Sequence, residues 1–150
     1  LDEHGFEQIV LVPTHGGNFG PVNTVAPEVA REIDAAVLPL ANLDTLMGLM
    51  NEGLSAAGVD YEEPVIHAGA AETAIVLAVA EELVRTDAVD VGHEGDVSVS
   101  KLFGEGFRAI TETGVLGDPR EATAEAGEEI LDAITTAYVD RIESERVSAN

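Results

Sequence analysis

The stretch IVLVPTHGGN, residues 9–18, decides the fold. Four apolar residues of strand length stop at Pro13, and the chain then turns through Thr14, His15 and two glycines to Asn18. An apolar run without polar alternation, bounded by Pro and Gly, reads as a strand covered on both faces, as in a parallel sheet. A histidine where such a strand stops sits at the edge where open α/β sheets place their chemistry. A distant counterpart, HAGAAET at 67–73, puts His67 just ahead of two small residues and a helix, with Glu72 five positions on. We expect both stretches to line one polar pocket at the end of a parallel sheet.

Working outward, residues 1–5 read as the last turn of a helix with a glycine stop, so upstream sequence is expected. Residues 6–12 form the first strand, and 18–33 a helix with Val22, Val25, Val29, Ala30 and Ile33 on one side and Pro27 bending or dividing it. A second short strand is expected at 35–40, its Pro39 marking an edge or an end. Leu43, Leu46, Met47, Met50 and Leu54 recur at helical spacing, which makes the methionines core residues before ligands. Residues 58–64 form a turn-rich acidic link, 70–84 a buried helix, and 87–100 a loop or short strand. A strand is expected near 107–110. A long amphipathic helix over 121–146 closes the chain, with Ala126, Ile130, Ala133, Ile134, Ala137, Val139 and Ile142 inward. There is no repeat and no internal boundary, so 1–150 reads as a single α/β domain.

Composition excludes several classes. With 45% apolar residues the chain can bury a core, and no apolar run spans a membrane. Zero cysteines leave nitrogen and oxygen as the only donors for a metal and suit a cytoplasmic protein. Twenty-nine acids against seven basic residues give −22, which repels nucleic acid and anionic membranes. The acids are spread through periodic apolar segments, so the charge reads as a folded surface adapted to molar salt, where the Debye length is only about 3 Å. A halophile's cytosol is the expected setting.

His15, Gly16 and Gly17 are open to two readings: an imidazole ligand for zinc or manganese beside a close-approach turn, or a histidine bonded to a turn carbonyl beside ordinary glycines. His67 and Glu72 are likewise either site residues or a structural helix start. A carboxylate on an otherwise apolar helix should meet a metal, a histidine or water, since burying it unpaired costs several kcal/mol. His93 and Glu94 in GHEG read as a solvated loop, and His4 is assigned nothing.

Three segments in order, THGGN after an apolar strand, HAGAAETA before a helix and GVLGDPREATAEAG opening the last helix, resemble the creatininase family of amidohydrolases over nearly the whole chain. The resemblance implies a three-layer α/β sandwich with a mostly parallel sheet, assembled as a homo-oligomer, a hexamer in the family. It implies hydrolysis of a non-peptide C–N bond, a cyclic amide or a formamide, in a small molecule with one or two divalent ions. By position it makes His15 a metal ligand, His67 the proton shuttle, and Glu72 the acid that orients it or reaches a metal. Gly117-Asp118-Pro119 would be structural or part of the pocket rim.

Departures accompany it. Pro13 and Thr14 stand where the family turn has Asn-Gly, Gly17 stands where creatininase proper has a glutamate ligand, and the chain has no tryptophan to close a creatinine pocket. The family's opening Glu-x-His and downstream Asp, which supply most metal ligands, are expected before Leu1, making this the C-terminal part of a family domain. The alternatives to a metal-dependent hydrolase are a non-catalytic assembly subunit and a phosphate-sugar binding module built on the Gly16-Gly17 turn.

Overall fold

The computed structural model describes residues 1–60, 62–63 and 67–146. Tyr61 and Pro64 of the acidic link therefore lie outside the described residues. The chain forms two compact units, one of Leu1–Leu46 with the chain from Thr135 onward, the other the contiguous segment Met47–Ile134.

The first unit holds the parallel pair that the apolar runs implied. β1 (Gln8–Leu11) runs beside β2 (Ala36–Pro39), in the register Gln8 to Ala36 through Leu11 to Pro39. The mixed α/β fold with a parallel sheet is thus present. Both strands are half-buried along most of their length, and Phe6 and Val12 beside β1 are exposed, so these strands are not covered on both faces. Ahead of β1, a 3-10 turn (Asp2–His4) ends on Gly5 in the left-handed region, as the glycine stop implied. Its Asp2 carboxylate accepts the Asp34 and Ala35 N–H groups at 3.1 and 2.8 Å, tying the entry of β2 to the chain start.

Between the strands runs α1 (Gly16–Glu32), unbroken through Pro21 and Pro27. Of the bend or division expected at Pro27, the division does not occur. Each proline removes one intrahelical hydrogen bond, but Gly17 and Asn23, whose carbonyls lose their partners, are exposed and can be solvated. Phe19 and Ala26, both 3% exposed, anchor the helix, while Val25 faces outward against expectation.

α2 (Leu43–Ala56) begins in the first unit and continues into the second, where Met50 and Leu54 are buried core, as their spacing implied. Gly53 lets it approach the Ile130 backbone so closely that a Cβ would lie 2.5 Å from Ile130 Cα. α3 (Ala70–Ala80) is shorter than expected, giving way to a 3-10 turn (Glu81–Leu83). Its first turns are buried at Ala70, Ala71 and Ala74, but Val79 and Leu83 are 64% and 69% exposed, so only one end of this apolar helix is core.

The strand expected near 107–110 is instead a short α4 (Val99–Glu105) followed by a 3-10 turn (Phe107–Ala109). Ser98 caps α4 through its hydroxyl, and Gly106 stops it at positive φ, two signals that outweigh the local β-propensity. A 3-10 turn (Pro119–Glu121) precedes α5 (Ala124–Ser144), which starts later than expected because Thr123 accepts the Ala126 N–H. Ala126 and Ile130 are buried as foreseen, while Val139 is exposed. No described helix is long and apolar enough to cross a membrane.

Candidate functional site

His15 occupies the turn between β1 and α1 with extended backbone angles and is the N-cap of α1. Its Nδ1 accepts the Gly17 N–H at 3.1 Å. A Cβ at position 17 would meet the imidazole at 3.2 Å, so the glycine is there to let the ring fold back on the helix start. Because an N–H can donate only to a lone pair, the neutral ring carries its own proton on Nε2. The one lone pair a metal could use is thereby engaged in capping.

His67 is built the opposite way. It lies in the second unit, half-buried, where its carbonyl accepts the Leu116 N–H at 2.9 Å and the two residues form an antiparallel bridge. Its Nδ1 lies 2.7 Å from the Gly114 carbonyl, which can only accept, so Nδ1 carries the proton and the neutral ring keeps a lone pair on Nε2. Phe107 lies against the imidazole with ring centroids 3.8 Å apart and a 30° tilt, fixing the ring plane.

After His67 the backbone turns through Ala68 at φ 54, a left-handed conformation that L-residues other than Asn and Asp rarely adopt. Glu72 holds that turn: its Oε2 accepts the Ala68 N–H at 2.6 Å, reaching back from the first turn of α3. The carboxylate expected to orient His67 thus binds the backbone next to it. These two residues share one turn in the second unit, whereas His15 belongs to the first.

Glu63 is the residue that sequence reasoning passed over. At 1% exposure it accepts Ala70 N–H at 2.6 Å and Ala71 N–H at 3.2 Å, serving as the cap that Gly69 cannot provide. Asn51 clamps its backbone on both sides, taking the Glu63 N–H at 2.8 Å and donating to its carbonyl at 3.1 Å. Gly69 is obligatory beneath it, since a Cβ would run into Glu63 Oε1 and lie 2.5 Å from the Leu116 carbonyl. Burial raises the Glu63 pKa; the two N–H bonds oppose this, and the nearby Glu72 charge adds to it. The available signal was an apolar helix starting Gly-Ala-Ala, whose first N–H groups need an acceptor from elsewhere.

Two further segments complete the second unit's polar features. His93, read as solvated loop, is half-buried and pairs in parallel with Leu116, through His93 N–H to Val115 O at 3.0 Å and Gly117 N–H to His93 O at 2.9 Å. Leu116 is therefore flanked by a histidine on either side. In the Gly117-Asp118-Pro119 loop, Asp118 accepts from the Arg120 backbone at 3.0 Å and from its guanidinium at 2.8 and 2.6 Å. The Arg120 guanidinium holds the Asp118 carboxyl below its usual range.

Within either unit, no three His, Asp or Glu side chains among the described residues come together as a metal-binding group. His15 could give one donor after exchanging its tautomer and releasing Gly17, so the residues present do not by themselves make a zinc or manganese site.

The creatininase family model, described as creatinine amidohydrolase, matches residues 1–142. Relatives named mycofactocin precursor peptide peptidase are 32% identical over 139 residues in Mycolicibacterium smegmatis and 36% over 138 residues in Mycobacterium ulcerans. These alignments cover 90% and 91% of this chain and 48% of each relative, so the chain spans about half the length of the curated relatives it matches. A crystal structure of a protein assigned as a creatinine amidohydrolase from Bacteroides fragilis superposes with a TM-score of 0.66 at 21% identity, over 99% of this chain and 58% of the other. The fold is shared at that distance, and the family match takes in the strand-end His-Gly-Gly turn, the His-Ala-Gly turn and the GDPR loop together. The chain belongs to the creatininase family.

Proposed function

We propose that the chain forms part of a hydrolase that cleaves a C–N amide bond, with His67 as its proton-transfer group. One observation carries this reading. The Gly114 carbonyl and the Phe107 ring lock the imidazole in the tautomer that leaves Nε2 basic. Such a nitrogen can take a proton from an attacking water and hand it to the departing nitrogen, while the Gly114 carbonyl stabilises the imidazolium through the Nδ1–H it already accepts. Glu72 and Glu63 serve the reaction by holding the backbone on the C-terminal side of that ring. His15 becomes a zinc or manganese ligand only by exchanging its tautomer and only alongside donors beyond those either unit assembles.

The substrate in this reading is a small cyclic amide or formamide. The names of the relatives favour a second possibility, a peptide. The −22 charge supports a surface suited to a salt-rich cytoplasm, and the family assignment supports assembly of identical subunits. The intact protein should be assayed in molar KCl, with zinc or manganese supplied, on a cyclic amide, an aryl formamide and a short peptide. His67→Ala should lower turnover by about 10²–10⁴-fold with folding retained. If turnover is unchanged, His67 is not the proton-transfer group, and if the intact protein turns over none of the three, the non-catalytic assembly reading replaces this one.

A further inference from the structure

Among the described residues, positive φ occurs at Ala68 and at five glycines, and three of these six positions serve one imidazole. Ala68 follows His67, Gly114 supplies the carbonyl 2.7 Å from its Nδ1, and Gly106 precedes Phe107, whose ring lies against it. Uncommon backbone conformations gather where side chains have to be aimed. Ala68 and Gly114 are accounted for by the His67 turn and its hydrogen bond. Gly106 and Phe107 call for a reason of their own.

Gly106 sits at φ 84 and ψ 175, a region that glycine alone enters readily. A Cβ there would meet nothing within 4 Å, so crowding does not demand the glycine; the backbone reversal does. That reversal stops α4 and starts the turn Phe107–Ala109 in a new direction. Space-filling does not explain the side chain it delivers. Phe107 is half-buried and outside the buried core, and Phe103, four residues earlier, is 79% exposed. What Phe107 does meet is the His67 ring, stacked at 3.8 Å between centroids with a 30° tilt.

We propose that Phe107 is a positioning residue for proton transfer at His67, its ring face favouring the protonated imidazole over the neutral one. This role rests on His67 being the proton-transfer group. The face of a phenyl ring is negative, and a cation within about 6 Å of its centroid is attracted to it. While Nε2 holds the proton taken from water, before returning it to the departing nitrogen, the imidazole carries a positive charge spread over the ring that Phe107 covers. The Gly114 carbonyl meets that charge at the ring's edge, and Phe107 meets it at the face. The neutral ring gains mainly dispersion from the same contact, so the stack works chiefly in the state that forms midway through the reaction.

The test is steady-state turnover by the intact protein, on whichever of the cyclic amide, aryl formamide and short peptide it cleaves. Phe107→Leu keeps an apolar side chain against the imidazole but loses the aromatic face, and should lower kcat by about three- to tenfold with KM unchanged. Phe107→Tyr keeps the face and should restore kcat to within about twofold of the wild type. If circular dichroism shows Phe107→Leu unfolded, Phe107→Met, which also lacks the face, takes its place with the same expectation. Undiminished kcat without the aromatic ring, an equal loss in Phe107→Tyr, or a loss confined to KM overturns the proposal. His67→Ala separates the two levels. If it leaves kcat untouched, or the wild type turns over none of the three substrates, the proton-transfer reading falls and this role with it; a large loss in His67→Ala beside an unchanged Phe107→Leu removes the role of Phe107 alone.

Discussion

The two histidine turns use one residue type for opposite ends. At His15 the ring accepts from Gly17 N–H and caps a helix, so its proton sits on Nε2. At His67 the ring donates to Gly114 O and rests on Phe107, so its lone pair is on Nε2. The first ring works for its own backbone. The second has its backbone worked for, by Glu72 on Ala68 and by Glu63 on Ala70 and Ala71. A histidine beside glycines is thus not one signal: which nitrogen is engaged separates a cap from a poised proton carrier.

The sharpest way to break this contrast is at the glycines. Gly69→Ala pushes a methyl into the Glu63 carboxylate and the Leu116 carbonyl, and should cost at least about 3 kcal/mol in denaturant unfolding. Gly16→Ala in the other turn meets nothing within 4 Å and should change stability by no more than about 1 kcal/mol, in the stabilising direction. Equal costs at the two positions would remove the distinction between a supported and a free-standing turn.

A middle-sized effect is expected at Glu63. Burial raises its folded pKa above the ordinary carboxyl value, so its contribution is most favourable below that ordinary value and is lost as pH rises through the folded one. Glu63→Gln keeps one acceptor, loses the charge, and should flatten this part of the stability-versus-pH curve, while Glu63→Ala strands two N–H groups and should cost about 2 kcal/mol at low pH and less as pH rises. Thermal melts from pH 4 to 8 on both variants read this directly. A Glu63→Gln profile parallel to the wild type would mean that the carboxyl does not titrate differently on folding.

The smallest effect belongs to His15. As a cap its replacement by alanine should cost about 1 kcal/mol or less. Cap and ligand separate cleanly in His15→Asn, which restores a capping oxygen. It should recover the lost stability and leave any loss of bound zinc, read by mass spectrometry, unrepaired.

Much of the frame could be read from residue order, because its signals are local. The apolar run ending at Pro13, the short run ending at Pro39 and the Leu-Met stripe of α2 each state their element without reference to the rest. The misreadings came where a cap outweighed propensity, as Ser98 and Gly106 did around α4. In the site, the His-Ala-Gly turn was visible, but Glu63 was hidden because its role depends on contacts with Asn51, Ala70 and Ala71 and on no spacing pattern of its own. Nor can residue order reveal a tautomer, since that follows from Gly17 at one ring and Gly114 at the other.

The first unit is assembled from both ends of the described chain, while the second is one uninterrupted segment. Residues 47–134 can therefore gather around α2 and α3 as soon as they leave the ribosome, with no long loop to close. Residues 1–46 precede that segment yet must wait for α5 to be completed before the part of their unit beyond Thr135 exists. During that interval a pair of parallel strands and a helix bearing two prolines lack their contacts with α5, and a dense negative charge that keeps nascent chains apart is most useful at just that stage.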